Sequence, residues 1–506
     1  MLERPLARAG AAGLLLLIML GLLVTSSRHK KLAYDEYDNL AYGYRLLRLG
    51  PLPPPNGQRM PVLALNALFC PEPCRESDAN ASETRLLLVR WPAMAFTLGL
   101  GLLLWAWARE GMGPRPALLA LTLYVFHPSF LAHGKELTSD VAAAFFAVGT
   151  LHPAWRLLRG RGRAPVNLVL SALALTGGLL SKYTSVLLVP LLVVLWLLDA
   201  RGRATRRALL GVAAYGVIVV LALNAAYGFE GTLKRADEYG WKSERLEPLG
   251  RLPLPLFLPR TFVLGLDFSF HVQEQPGVGR GNNYVLGRLN TDGVFYAFPL
   301  MVLLKTPLAF FGLLILGARA RPPAEPGSAW VWIPFLGFLA FFSLLVAPQI
   351  GIRYLLPGLA FLFLWAARAA SRDPRLVLPL TVWAVVSALS YHPHYMSYFN
   401  ELVGARVNAY RYLADSNLDW EDRTYDIARY AERHPDRPLV IEPETPQAGW
   451  VLVGANRLVG VYEPERYRWL RENFRPVDHV GYSYLLFEVT PERLRAITPG
   501  AAAGPR

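Results

Sequence analysis

Two adjacent carboxylates, Asp35 and Glu36, lie in Tyr34-Asp35-Glu36-Tyr37, about ten residues past the first apolar run. A carboxylate at a cleft can act as general base toward a hydroxyl. It can also ligate a divalent cation through oxygen. Neighbouring residues of a helix point about 100° apart, so these two cannot both face one atom. Asp35 is read as the working base and Glu36 as its orienting partner. Asp140, in His133-Gly-Lys-Glu-Leu-Thr-Ser-Asp140, opens another apolar run. A charge there is costly in lipid unless it meets a cavity or partner, and a first-turn acid also gains from the helix dipole.

Cations accompany these acids. Lys305 lies about 11 residues into the run 294–317, roughly 16 Å deep at the helical rise, where snorkelling is hard. A phosphate is a fitting partner for it, and Pro307 can kink the helix beside it. Arg353, in Ile350-Gly-Ile-Arg353-Tyr354, can grip a phosphate bidentately or anchor an interface. Lys182 in Ser181-Lys182-Tyr183, and Arg90 in Val89-Arg90-Trp91-Pro92, are candidates of the same kind. The last cluster runs from Tyr391 to Glu401 and continues through Asp415-Ser-Asn-Leu-Asp-Trp420. Its aromatics, amides and carboxylates suit sugar or acceptor contacts at Tyr398, Asn400, Glu401 and Asp415, and equally an aromatic belt. His392 and His394, two apart, are spaced poorly for a metal on a helix.

Elements that hold such groups must be membrane helices. The 506 residues are 53% hydrophobic with a mean hydropathy of +0.27, above the soluble mix. The net charge of +14 does not indicate nucleic acid, because the basic residues fall in short loops between apolar runs. Eleven runs approach the length needed to cross a bilayer: 9–26, 86–108, 114–132, 138–157, 165–181, 183–200, 207–226, 294–317, 328–347, 353–370 and 375–391. The first resembles a signal peptide, but Thr25-Ser26-Ser27 is a poor cleavage site, so a retained anchor is expected.

Loop charge sets the orientation. Arg109, Arg115, Arg156, Arg159, Arg161, Arg163, Arg201, Arg203, Arg206, Arg207, Arg319, Arg321, Arg368, Arg372 and Arg375 share one side. Lys135, Lys182 and Arg353 stand singly in the short loops opposite. The first side is therefore cytoplasmic, with the amino terminus on it and the carboxyl terminus outside. Arg28, Lys30 and Lys31 break this rule locally, as an anionic-headgroup site or a solvated rim. The expected fold is an all-α polytopic membrane domain of about eleven helices over 1–391, with extracytoplasmic loops 27–85 and 227–293. A small extracytoplasmic α/β domain over 392–506 follows. Its helices are expected at Arg423–His434 and Glu463–Asn473, and its strands at Leu439–Ile441, Gly449–Val453 and Tyr482–Val489. Cys70 and Cys74 fall in an oxidising compartment, where a disulfide is one outcome and free or metal-bound thiols the other. Gly277-Val-Gly-Arg-Gly-Asn282 follows no strand pattern and does not read as a nucleotide loop.

Together these motifs resemble the polyprenyl-phosphate-dependent glycosyltransferases of the GT-C superfamily, in the bacterial branch related to protein O-mannosyltransferases and the lipid A aminoarabinose transferase. The resemblance rests on Asp35-Glu36 with Tyr42 and Gly50, Arg90-Trp-Pro92, Thr138-Ser-Asp140 with Phe145-Phe146, and Ser181-Lys-Tyr-Thr184. It continues through Phe298-Pro299, Lys305-Thr-Pro307, Gly351-Ile-Arg-Tyr354, Tyr398-Phe-Asn-Glu401 and Asp415-Ser-Asn-Leu-Asp-Trp420. Asp35-Glu36 favours the mannosyltransferase side. Glu421-Asp422-Arg423 depart from the family's usual Gly-Gln-Asp, and Arg59-Met60-Pro61 from its basic or His residue before two prolines.

The resemblance implies that Asp35 is catalytic, that Asp140 shares its site, and that Arg353 and Lys305 contact the carrier phosphate. The expected activity is transfer of a sugar from a polyprenyl-phosphate donor to a hydroxyl of a protein, lipid or glycan acceptor, with inversion at C1, at the outer face of the inner membrane. A divalent metal on Asp35 and Asp140 is an option; no other cofactor and no nucleic-acid partner are expected. The rival readings are a transporter and a lipid-linked glycan flippase or ligase. Transporters tend to show paired broken helices in two halves, and the sequence shows no such internal symmetry.

Overall fold

The computed structural model describes residues 5–48, 60–70, 72, 74–199, 206–275, 283–320, 325–420 and 423–497. Gly50, the prolines 51–55, Arg59, Arg201, Arg203, Gly277–Asn282, Arg321, Glu421 and Asp422 lie outside them.

The chain is mostly helical. Among the described residues, six helices are long and apolar enough to cross a membrane: Arg8–Ser27, Glu83–Met112, Asp140–Leu158, Ala164–Ser181, Leu209–Ala226 and Ser328–Leu345. Two bent pairs add to them, Ala297–Lys305 with Leu308–Ala318 (99°) and Ile352–Leu359 with Leu362–Ser371 (51°). Tyr183–Asp199 and Pro374–Leu389 are shorter apolar helices. The run 114–132 is helical as Pro114–Val125 and Pro128–His133. The eleven apolar runs are thus all helical, but five are short or broken.

Proline explains two of the breaks. The residue before a proline is pushed out of the α region, and both His127 (φ −83°, ψ 119°) and Thr306 (φ −109°, ψ 135°) are extended. Lys305 therefore does not lie in the middle of a continuous helix, as the sequence suggested. It ends a nine-residue helix at a sharp bend. Thr25, Ser26 and Ser27 continue the first helix, and their hydroxyls donate to carbonyls of Gly21 and Leu23.

The segment after the first helix forms Tyr34–Leu47, an amphipathic helix outside the spans. The loop 227–293 carries the helix Arg260–Glu274 and a hairpin of β1 (Asn283–Val285) and β2 (Arg288–Asn290). Cys70 and Cys74 are joined as a disulfide.

The chain's end forms a four-stranded sheet of β3 (Leu439–Ile441), β4 (Gly449–Gly454), β5 (Asp478–Val480) and β6 (Tyr484–Val489), in the order β3-β4-β6-β5. β3 and β4 run parallel and the other pairs antiparallel. Alternation along β4 and β6 decides the two faces. Val451, Val453, Leu485 and Phe487 join the large core shared with the membrane helices. Leu452 and Leu486 face Ile427 and Tyr430 of the helix Thr424–Arg433. The sequence anticipated three of these strands and both helices. It missed β5, in which Asp478 and His479 give no apolar run, and placed the start of Arg468–Asn473 too early.

Candidate active site

Five separate pieces of chain meet at one end of the helix bundle. They are the first turn of Tyr34–Leu47, the start of Asp140–Leu158, the bend at Lys182, the turn Ile352–Leu355, and the loop 415–420.

Arg353 is the centre. Its side chain is 6% exposed, and Nη2 lies 3.8 Å from Asp35 Oδ2. Its Cζ stands 4.6 Å over the Trp420 ring, a stacking contact suited to the planar guanidinium. Its Nε is buried and has no acceptor among the described residues. The charges of Asp140, Asp35 and Asp415 all bear on it. Lys182 Nζ donates to Asp140 Oδ1 and lies 4.7 Å over the Tyr354 ring. The structure therefore brings Asp35, Asp140, Asp415, Arg353 and Lys182 together.

Each acid is held differently. Asp35 is partly open, with its side chain 24% exposed. Burial raises its pKa, Arg353 opposes this, and Asp38 and Asp140 add to the rise. Asp415 adopts a left-handed φ of 57°, and its Oδ1 accepts from the Ser416 amide at 2.7 Å. Burial pushes its carboxyl up to about 6, against Arg353 and that amide.

Glu36 has another task. It is fully buried and accepts from Arg90 Nη2 at 2.7 Å, Arg90 Nε at 3.1 Å, and the amides of Ala33 and Leu137 at 2.9 Å. The Ala33 bond is the reciprocal half of a capping box, and the Leu137 bond ties the helix to the segment leading into Asp140. Arg90 was expected to bind phosphate. It is 1% exposed, and its other donors reach the carbonyls of Lys30 and Lys31. Its charge is spent on Glu36, with Glu136 at 3.6 Å.

Lys305 likewise does not face the cluster. Its Nζ donates to the carbonyls of Asn417 and of Met396, the latter at 2.7 Å, and it lies 4.5 Å over Phe399. It nails the loop 396–417 to the bent helix. Asn400 does the same from the other side, donating to carbonyls of Leu303 and Thr306. The Tyr398 hydroxyl pairs with Ser387 at 2.9 Å. Glu401, exposed, accepts from Trp383 and Ser387. Of the four residues read as sugar or acceptor contacts, Asp415 alone joins the cluster.

The basic trio past the first helix is also divided: Lys30 is buried and donates to the Pro393 carbonyl at 3.1 Å. Asn417 was missed as a positioning residue. Its Oδ1 accepts from the Ile352 amide at 3.0 Å and its Nδ2 reaches the Ile350 carbonyl. The signal was present, because Asn417 lies in the quoted motif. Gly351 permits the approach: a Cβ there would meet Ser416 Oγ at 2.3 Å.

The expected divalent metal on Asp35 and Asp140 does not fit this donor set. Asp140 already accepts from Lys182, and Arg353 stands against Asp35. Among the described residues no group of three or more His, Cys, Asp or Glu could hold an ion. The two cations of the cluster, Arg353 and Lys182, stand against the three carboxylates Asp35, Asp140 and Asp415.

Residues 82–227 match the family described as dolichyl-phosphate-mannose-protein mannosyltransferase. That stretch contains Arg90, Asp140 and Lys182; Asp35, Arg353 and Asp415 lie outside it. No curated protein matches the sequence. Among solved structures, ArnT from Cupriavidus metallidurans bound to undecaprenyl phosphate is 13% identical, covering 98% of this chain and 99% of its own, with a TM-score of 0.52. The Archaeoglobus fulgidus oligosaccharyltransferase in its apo form is 13% identical over 85% of this chain and 58% of its own, at a TM-score of 0.49. Residues 82–227 thus resemble a mannosyltransferase family, and the chain as a whole shares the fold of ArnT.

Proposed function

We propose that the protein transfers a sugar from a polyprenyl-phosphate carrier to a hydroxyl acceptor at the outer face of the inner membrane, with inversion at C1. The observation that carries this reading is the buried Arg353, whose Nε has no acceptor among the described residues, beside the partly open carboxylate of Asp35. A guanidinium so placed is suited to phosphate. ArnT, whose fold is shared, is described as bound to undecaprenyl phosphate, a ligand of this class.

In this mechanism the donor phosphate lies against Arg353, with Lys182 adding positive charge. Asp35 takes the proton of the acceptor hydroxyl. The acceptor oxygen forms its bond to C1 as the bond from C1 to the phosphate oxygen breaks. The electron pair leaves with polyprenyl phosphate, whose charge Arg353 offsets. Asp140 holds Lys182 in place, and Glu36 holds the helix that presents Asp35. The amino terminus is cytoplasmic and the 392–506 domain extracytoplasmic, following the loop charges.

The test uses purified protein in lipid nanodiscs with radiolabelled undecaprenyl-phosphate sugars. Wild-type protein is expected to consume the carrier lipid, and Asp35→Asn to slow this by about 10²- to 10⁴-fold, the usual range for a general base. Near wild-type turnover by a well-folded Asp35→Asn would remove Asp35 from the chemistry. Movement of intact carrier lipid across the bilayer without loss of its sugar would favour a flippase instead.

A further inference from the structure

The rim of the site is completed by the carboxyl-terminal domain. Asn456 Oδ1 accepts from the Asp415 amide at 2.7 Å, and its Nδ2 donates to the Asp419 carbonyl at 2.9 Å. Val459 and Val461 pack on Ala414, the residue before Asp415. Tyr462 follows directly on this seam, two residues of which pack on the neighbour of Asp415, and it stays 64% exposed. The charges of Asp415, Asp35 and Asp419 reach its phenol. An aromatic of this size left bare beside an active site is a large apolar surface held ready for contact.

We propose that Tyr462 is an acceptor-selecting residue, its ring stacking on the apolar face of a pyranose whose hydroxyl is directed at Asp35. The reading rests on the proposed glycosyltransfer and names its acceptor class. Two points favour the acceptor over the donor. Tyr462 comes from the domain outside the membrane, whereas a polyprenyl chain enters from lipid. An exposed ring with carboxylates beside it offers both halves of carbohydrate recognition, a flat apolar face and hydroxyl acceptors. An extended peptide would instead be expected to add to a sheet edge, and the edge strands β3 and β5 are three residues each.

The test measures two rates with full-length protein in nanodiscs and a panel of undecaprenyl-phosphate-linked sugars. One is transfer to methyl pyranosides, with a Ser/Thr-containing hexapeptide as the competing acceptor. The other is release of the sugar to water. Tyr462→Ala is expected to raise the pyranoside KM at least tenfold while the rate of release to water and the donor KM stay unchanged. Tyr462→Phe, which keeps the ring, is expected to stay within twofold of wild type. An unchanged pyranoside KM in Tyr462→Ala, a raised donor KM, or a wild type that uses the peptide and not the pyranosides would each overturn the assignment. A wild type that consumes no carrier lipid in any arm would overturn the glycosyltransfer reading itself, and this assignment with it.

Discussion

Arg353 Nη2 stands 3.8 Å from Asp35 Oδ2, beyond hydrogen-bond length. A buried guanidinium usually seeks a bidentate partner, and here Asp35 does not supply one. The gap keeps Asp35, the proposed base, and Arg353, the proposed phosphate-binding cation, in electrostatic contact without locking them together. Arg353→Lys keeps the charge but loses the fork and the stacking on Trp420. It is expected to lower kcat/KM for the carrier lipid at least tenfold, mainly through donor KM. Steady-state kinetics with varied donor would check this, and equal kinetics for Lys and Arg would exclude bidentate phosphate recognition.

The pH dependence follows from the acids. As the proposed base, Asp35 must be ionised to accept a proton, and burial raises its pKa from the ordinary 3.8. The acid limb of the rate is therefore expected above the ordinary Asp value, with activity rising as pH rises through it. Asp38 adds like charge to Asp35, so Asp38→Asn should move that limb to lower pH. A limb that stays in place would show that Asp38 is electrically remote from Asp35.

Stability should follow the opposite sign. Asp415 titrates near 6 in the fold against an ordinary 3.8, so the native state binds its proton more tightly than the unfolded chain. That contribution is complete below about pH 4 and is lost as pH rises through about 6. Asp415→Asn is expected to unfold at a temperature equal to or above wild type at pH 7, with a flatter dependence between pH 4 and 7. Thermal unfolding in nanodiscs at both pH values reads this directly.

Glu36 and Arg90 form a buried pair with side chains 0% and 2% exposed. Removing one partner of such a pair typically costs about 3–5 kcal/mol, because the other charge is left unpaired. Glu36→Ala should therefore lower Tm as well as activity, whereas Asp35→Asn should lower activity with little change in Tm. If Glu36→Ala kept the wild-type Tm, the pair would not be what seats the Asp35 helix.

Much of this site was legible in the residues. Asp35, Asp140, Lys182 and Arg353 stood out because charges at the ends of apolar runs are costly unless they are used. What the chain does not spell out is which buried charges are spent on one another. Arg90 and Lys305 look as available as Arg353 along the sequence. They differ only because Glu36 folds back onto Arg90 and two carbonyls of the loop 396–417 fall on Lys305. The bend before Pro307 could be anticipated from proline alone, but its 99° angle depends on Asn400 capping the broken end. Tyr462 carried no sequence signal, because its place beside Asp415 is made by packing between residues far apart in the chain.

The loop 415–417 comes closest to the turn that carries Arg353 at Gly351, which gives the last prediction. A Cβ on Gly351 would lie 2.3 Å from Ser416 Oγ, and that hydroxyl donates to the Ile350 carbonyl at 2.9 Å. In Gly351→Ala either the hydroxyl turns away, losing a bond worth about 1 kcal/mol, or the whole loop moves and carries Asp415 and Trp420 off Arg353. The two outcomes separate in a double mutant. If the hydroxyl alone yields, Gly351→Ala with Ser416→Ala should be no less active than Ser416→Ala by itself. If the backbone must retreat, the double variant should show the losses of both single changes, and its donor KM should rise as it does in Arg353→Lys. The first outcome is expected, because the close contact is to the end of a small side chain and because Asn417 holds the same backbone independently through the Ile352 amide.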